Sequence, residues 1–87
     1  MDNKLYDLYN LIIDSTTQIR DFLNVLESIV ATLSLLKTNT IDPATEAFLN
    51  TNITRIQREK YTLSLRLERL ELEATELRGQ MDATHNL

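Results

Sequence analysis

Few side chains in this sequence are able to do bond-making chemistry. His85 is the only His, and there is no Cys. Nucleophilic catalysis by a Ser–His or Cys–His pair needs a base held in hydrogen-bond reach of the nucleophile. A single His in an expected chain-end tail (82–87) does not supply one. Zinc sites draw on Cys and His, and a site built from carboxylates alone would need a calcium-loop pattern, which does not occur. Gly79 is the only Gly, so no glycine-rich loop can cradle a phosphate. Tyr6, Tyr9 and Tyr61 read as packing residues with a wet hydroxyl. The expectation is a protein that is not an enzyme and takes no cofactor or metal.

One charged row is worth weighing. Arg55, Arg58, Thr62, Arg66 and Arg69 recur at helical spacing on one face. Such a row can touch RNA or an acidic protein. The stacking aromatics that accompany single-strand binding are missing apart from Tyr61, and the chain carries a net charge of −4. Nucleic acid is therefore disfavoured as a partner. Asn52, Ile53 and Thr54 match a glycosylation sequon, but they fall inside a helical repeat, and the match reads as chance.

The elements that would position these residues are two helices. From Leu49 to Met81, apolar residues alternate at spacings of four and three: Leu49, Ile53, Ile56, Leu63, Leu67, Leu70, Ala74, Leu77, Met81. Lys60 occupies the one remaining position of this heptad seam, which demands another helix to lie against. The first half of the chain carries its own repeat: Leu5, Leu8, Ile12, Ser15, Ile19, Phe22, Leu26, Ile29, Leu33, Leu36. Its neighbours Tyr9, Leu11, Leu23, Val25 and Val30 are apolar too, so the stripe is wider than a two-helix contact requires.

With one Gly and one Pro in 87 residues, little room is left for loops. The first helix is expected over about residues 3–37, capped by Asp2 or Asn3, with Lys37 at its negative end. Residues 38–42 form the turn. Asp42 caps the second helix and Pro43 opens it, with Ile41 placed to staple onto Ala47. That helix is expected over about 43–81, with Gly79 loosening its last turn and 82–87 fraying. The polar run Asp14, Ser15, Thr16, Thr17 and Gln18, in which Ser15 and Gln18 imitate a capping box, is a candidate break or bend, yet the heptad keeps its phase across it, which favours a continuous helix.

Two nearly matched helices and a short turn predict an all-α antiparallel hairpin in a single domain. It should place Leu36 near Phe48, Phe22 near residues 56–60, and Leu5 near Leu77. A lone hairpin would leave the surplus of the first helix in water, along with Tyr61, Leu65 and Leu72 on the second. Oligomerisation to a helical bundle would cover it. The partner surface is accordingly assigned to Tyr9, Leu11, Leu23, Val25, Val30, Tyr61, Leu65 and Leu72, with Arg55, Arg58, Arg66 and Arg69 beside them. The occupant is a second copy, as a dimer or tetramer, or another helical protein.

Charge blocks point the same way. Residues 55–69 carry Arg55, Arg58, Lys60, Arg66 and Arg69 against Glu59 and Glu68. Residues 71–82 carry Glu71, Glu73, Glu76 and Asp82 against Arg78. Two copies of the second helix laid antiparallel around Leu70 would match these blocks, while the plainer reading is a solvated face with weak local pairs. Lys60 either packs its stem and reaches Asp21 or Asp14 with its amine, or acts with Ser15 as a polar layer that fixes register.

No stretch approaches the roughly 20 apolar residues of a membrane span, and the N-terminus lacks a signal-peptide pattern. A soluble, cytoplasmic protein is expected. Its expected work is that of a structural or adaptor subunit acting through coiled-coil packing. A small chaperone or inhibitor shielding a partner's apolar helix is the second reading, and a hairpin nucleic-acid regulator the third.

Overall fold

A computed structural model describes residues 3–85 of the chain. It is an antiparallel pair of helices, α1 (Asn3–Asn39) and α2 (Pro43–His85), packed along their length into a rod of 67 × 15 × 14 Å. The all-α hairpin is as the heptads require. The cap expected at Asp2 falls outside the described residues.

α1 is continuous through its polar run. Thr16 and Thr17 both donate their hydroxyls to the carbonyl of Ile13, at 2.7 and 3.2 Å, so neither competes with the helix ladder from outside. α1 closes at Asn39 with Thr40 N–H reaching the carbonyl of Lys37. Asp42 then caps α2 as its sequence position demands. Its carboxylate accepts from the Ala44 N–H at 3.4 Å and from the Thr45 hydroxyl at 2.7 Å, while its carbonyl accepts the first helical bond, from Glu46 N–H. The staple from Ile41 to Ala47 does not form: Ile41 is 98% exposed.

α2 runs on to His85, past the expected end at 81. The backbone shows no positive φ at Gly79. Ala83 is a good helix former, Arg78 pairs with Asp82 at 3.6 Å one turn on, and the Thr84 hydroxyl returns to the carbonyl of Gln80. Residues 86 and 87 of the tail lie outside the described residues.

The Thr45 hydroxyl first, then the Ala44 N–H, holds the Asp42 carboxyl below its ordinary value of 3.8. A lowered folded value means that the ionised cap stabilises the start of α2 above that ordinary value. The contribution is lost as pH falls through the folded one. Asp42→Ala is therefore expected to lower the thermal midpoint near neutral pH, and the gap to the unsubstituted protein should close in acid. A gap that stayed constant with pH would contradict the assignment.

Three contacts between the helices fix the register: Arg20 with Glu71 at 2.8 Å, Glu27 with Lys60 at 3.9 Å, and the Arg78 guanidinium 5.8 Å above the Tyr9 ring. The expected pairing is thus displaced by about one heptad, roughly 10 Å along the axis. The reason is the turn. α2 begins beyond the end of α1, so residues 43–48 overhang and every one of them is exposed. Leu49 is the first α2 residue to be buried.

Candidate interaction surface

The seam of α2 is the one its spacing predicts. Leu49, Ala74 and Leu77 are buried, and Ile53, Ile56, Lys60, Leu63, Leu67, Leu70 and Met81 are half-buried. The seam of α1 is not. Its inward face is Leu5, Tyr9, Ile12, Thr16, Ile19, Leu23, Leu26, Val30, Leu33 and Lys37. One row of the expected heptad is right (Leu5, Ile12, Ile19, Leu26, Leu33). The second row lies four residues on from it rather than three. Leu8, Phe22, Ile29 and Leu36 therefore face out, with exposures of 38–52%.

Side-chain size accounts for the choice. On the observed register Thr16 lies level with Ala74, and both are buried, Thr16 to 3% exposure. Two small residues let the helices close. The rejected row offers an equally small Ser15 at that level, but it sets Phe22 where the observed row has Leu23. Tyr9, Leu23 and Val30, assigned from sequence to the partner surface, are thereby half-buried within the hairpin. α2 already covers them.

What is left outside on α1 is a second heptad stripe. Leu8, Leu11, Phe22, Val25, Ile29 and Leu36 all stand exposed at spacings of three and four, interrupted by Ser15, Gln18 and Thr32. At about 100° per residue, this stripe lies roughly 100° round α1 from the seam. Bundle helices with two neighbours carry two such stripes, and in this hairpin α2 covers the seam alone. Leu11 and Val25, from the assigned surface, belong to it.

The back of α2 is different in kind. Tyr61, Leu65 and Leu72 are exposed there, and so are Arg55, Arg58, Arg66 and Arg69. Glu68 breaks the apolar line between the two leucines. A shallow depression on this helix is lined by Asn50, Thr51, Thr54, Arg55 and Arg58. Glu71, one of the acidic block, is engaged within the chain by Arg20.

Lys60 sits in the seam with its side chain 23% exposed, and its amine points to Glu27 rather than to Asp14 or Asp21. Ser15 does not share its layer. Glu27 marks the level of Lys60, and Ser15 lies twelve residues away along α1, about 18 Å. Replacing Lys60 with Leu is expected to stabilise the hairpin by about 1 kcal/mol, since an apolar seam residue gains more than a loose ion pair loses. The urea midpoint should rise with an unchanged slope. A fall would mean that the ammonium holds the two helices in place.

The sequence reading missed a second apolar group at the turn end, where Leu35, Ile41 and Phe48 are all more than 60% exposed. The overhang of α2 creates it, and only the spacing of Phe48 from the seam hinted at it. Among the described residues, no cluster of three or more His, Cys, Asp or Glu side chains is placed to hold a metal ion. No helix among them is long and apolar enough to cross a membrane. No known family profile matches the chain, and comparison with curated proteins and with solved structures gives no match.

Proposed function

We propose that this chain is a non-enzymatic structural or adaptor subunit that works by packing the outer stripe of α1 against another helix. The stripe itself carries the reading. It is long, regularly spaced and apolar, and it is bare in the isolated hairpin. Apolar patches of this extent mark contact surfaces.

The energetics agree. Leu26, Leu49, Ala74 and Leu77 are the buried apolar residues, and no large side chain among the described residues is fully enclosed. At about 1.5–3 kcal/mol for each fully buried leucine, such a core gives little margin against chain entropy. A further helix on α1 would supply the missing burial. An intracellular setting is part of the proposal, in keeping with a chain that has no Cys.

A chaperone or inhibitor that shields a partner's apolar helix would use the same stripe, and the exposed Ile41 and Phe48 favour keeping that reading second. The test is the salt dependence of association. Packing through an apolar stripe should hold or tighten between low and high salt. Association carried by the arginine row, or binding to nucleic acid, should weaken steeply. Loss of association at high salt would contradict the proposal.

A further inference from the structure

We infer that the helix covering the outer stripe of α1 is α1 of a second copy, running antiparallel, with Phe22 of one copy level with Val25 of the other. The inference rests on the docking role just proposed and adds the occupant and its register.

The first argument is surface. The chain exposes 6738 Å², whereas a compact monomer of 10.1 kDa exposes roughly 5300 Å². The surplus of about 1400 Å² per chain exceeds the roughly 800 Å² that each partner gives to an interface of standard size. A second copy of the same bare rod can therefore absorb it.

The second argument is the order of residues along the stripe. Read antiparallel about a point between Phe22 and Val25, Leu11 meets Leu36 of the second copy, and the polar Ser15 meets the polar Thr32. A shift of one heptad in either direction sets Phe22 against Gln18 or Thr32 instead. In the unshifted register Gln18 meets Ile29 in the one mixed layer between Leu11 and Leu36, and the shifted registers have more such layers, so the stripe is most self-complementary unshifted.

The third argument is charge. Asp7, Asp14 and Asp21 are exposed, and they form a row along the edge of the stripe at intervals of seven. Parallel copies would set each Asp level with its own counterpart. Antiparallel copies set the row against Ser28, Leu35 and the Lys37 end of α1 instead. Each α1 then has its own α2 on one side and the other α1 roughly 100° round, as in a four-helix bundle.

Because the chain has no Cys, single cysteines report without interference. Leu11→Cys and Leu36→Cys both fall at sites exposed in the hairpin, so the fold does not depend on them. The two variants, refolded together in equal amounts and mildly oxidised, should give the mixed disulfide from about half of the protein, the share that pairs as heterodimer. Leu11→Cys alone should give a tenth of that or less. In the antiparallel pair its two copies are about 38 Å apart, against the roughly 7 Å between Cα atoms that a disulfide spans.

A strong Leu11→Cys homodisulfide would overturn the inference in favour of a parallel pair. A dimeric mass without the mixed disulfide would overturn it in favour of another register or face, and loss of that dimer on Phe22→Glu with Val25→Glu would then still support the docking role of the stripe. A single-chain mass with no disulfide would also overturn it, leaving the stripe to a different protein.

Discussion

Phe22→Glu combined with Val25→Glu should weaken association by about a thousandfold while leaving the hairpin helical. Both side chains are about half exposed in the isolated chain, so α1·α2 packing does not depend on them. In an assembly that covers the stripe, the pair removes two buried apolar groups, each worth about 1.5–3 kcal/mol. It also leaves two carboxylates to be desolvated without partners. About 4 kcal/mol is the least this should cost, and each 1.4 kcal/mol is tenfold. The same two charges at Leu65 and Leu72, on the back of α2, should change association by less than about tenfold. The comparison is made by concentration-dependent light scattering, with circular dichroism on the same samples. A larger loss from the Leu65 and Leu72 pair would move the docking face to α2.

The second large effect belongs to the seam. Leu26→Ala should destabilise the fold by about 3 kcal/mol, in the middle of the range for leucines truncated in packed cores. Leu26 is 4% exposed in the middle of the α1 seam, and on the observed register it lies level with Leu63 of α2. For a domain of this size the thermal midpoint should fall by more than about 10 °C. Leu35→Ala, at a side chain 64% exposed and off both stripes, should change stability by less than about 0.5 kcal/mol. If folding is coupled to assembly, the midpoint also depends on protein concentration, so the two variants must be compared at one concentration. Equal effects from Leu26→Ala and Leu35→Ala would contradict the observed phase of α1.

The contrast between these residues shows how far the sequence could be read. In α2 the apolar residues off the seam, Tyr61, Leu65 and Leu72, are too few to make a rival row, so the inward face has one solution and Lys60 keeps its place in it. In α1 the row Leu5, Ile12, Ile19, Leu26, Leu33 is fixed, but its companion row is open to two choices. The one three residues on (Leu8, Phe22, Ile29, Leu36) is the more apolar, and hydrophobic pattern alone selects it. Both rows offer a small residue level with Ala74, Ser15 or Thr16; they differ in bulk at Phe22 against Leu23, and the fold turns the leucine inward. Steric fit across a seam depends on the partner's residue at the same level, and that level depends on how the turn climbs. The climb from Thr40 to Pro43, which sets the overhang of α2, has no signature in apolar spacing. Tyr9, Leu23 and Val30 moved from the outer surface to the seam for this reason, and Phe22 and Leu36 moved out.

The consequence is functional as well as structural. By turning its less apolar row inward, the hairpin leaves its more apolar row for something else. The other phase would bury Phe22 in place of Leu23, Ile29 in place of Val30 and Leu36 in place of Lys37, and so would enlarge the core of the hairpin taken alone.

The most direct measurement is the mass of the unsubstituted protein in solution, by light scattering from low to high micromolar concentration, with helicity followed on the same samples. The expected result is twice the single-chain mass of 10.1 kDa at high concentration, falling on dilution as the stripe of α1 is uncovered. A fully helical protein that remains a single chain at every concentration would contradict self-assembly through that stripe.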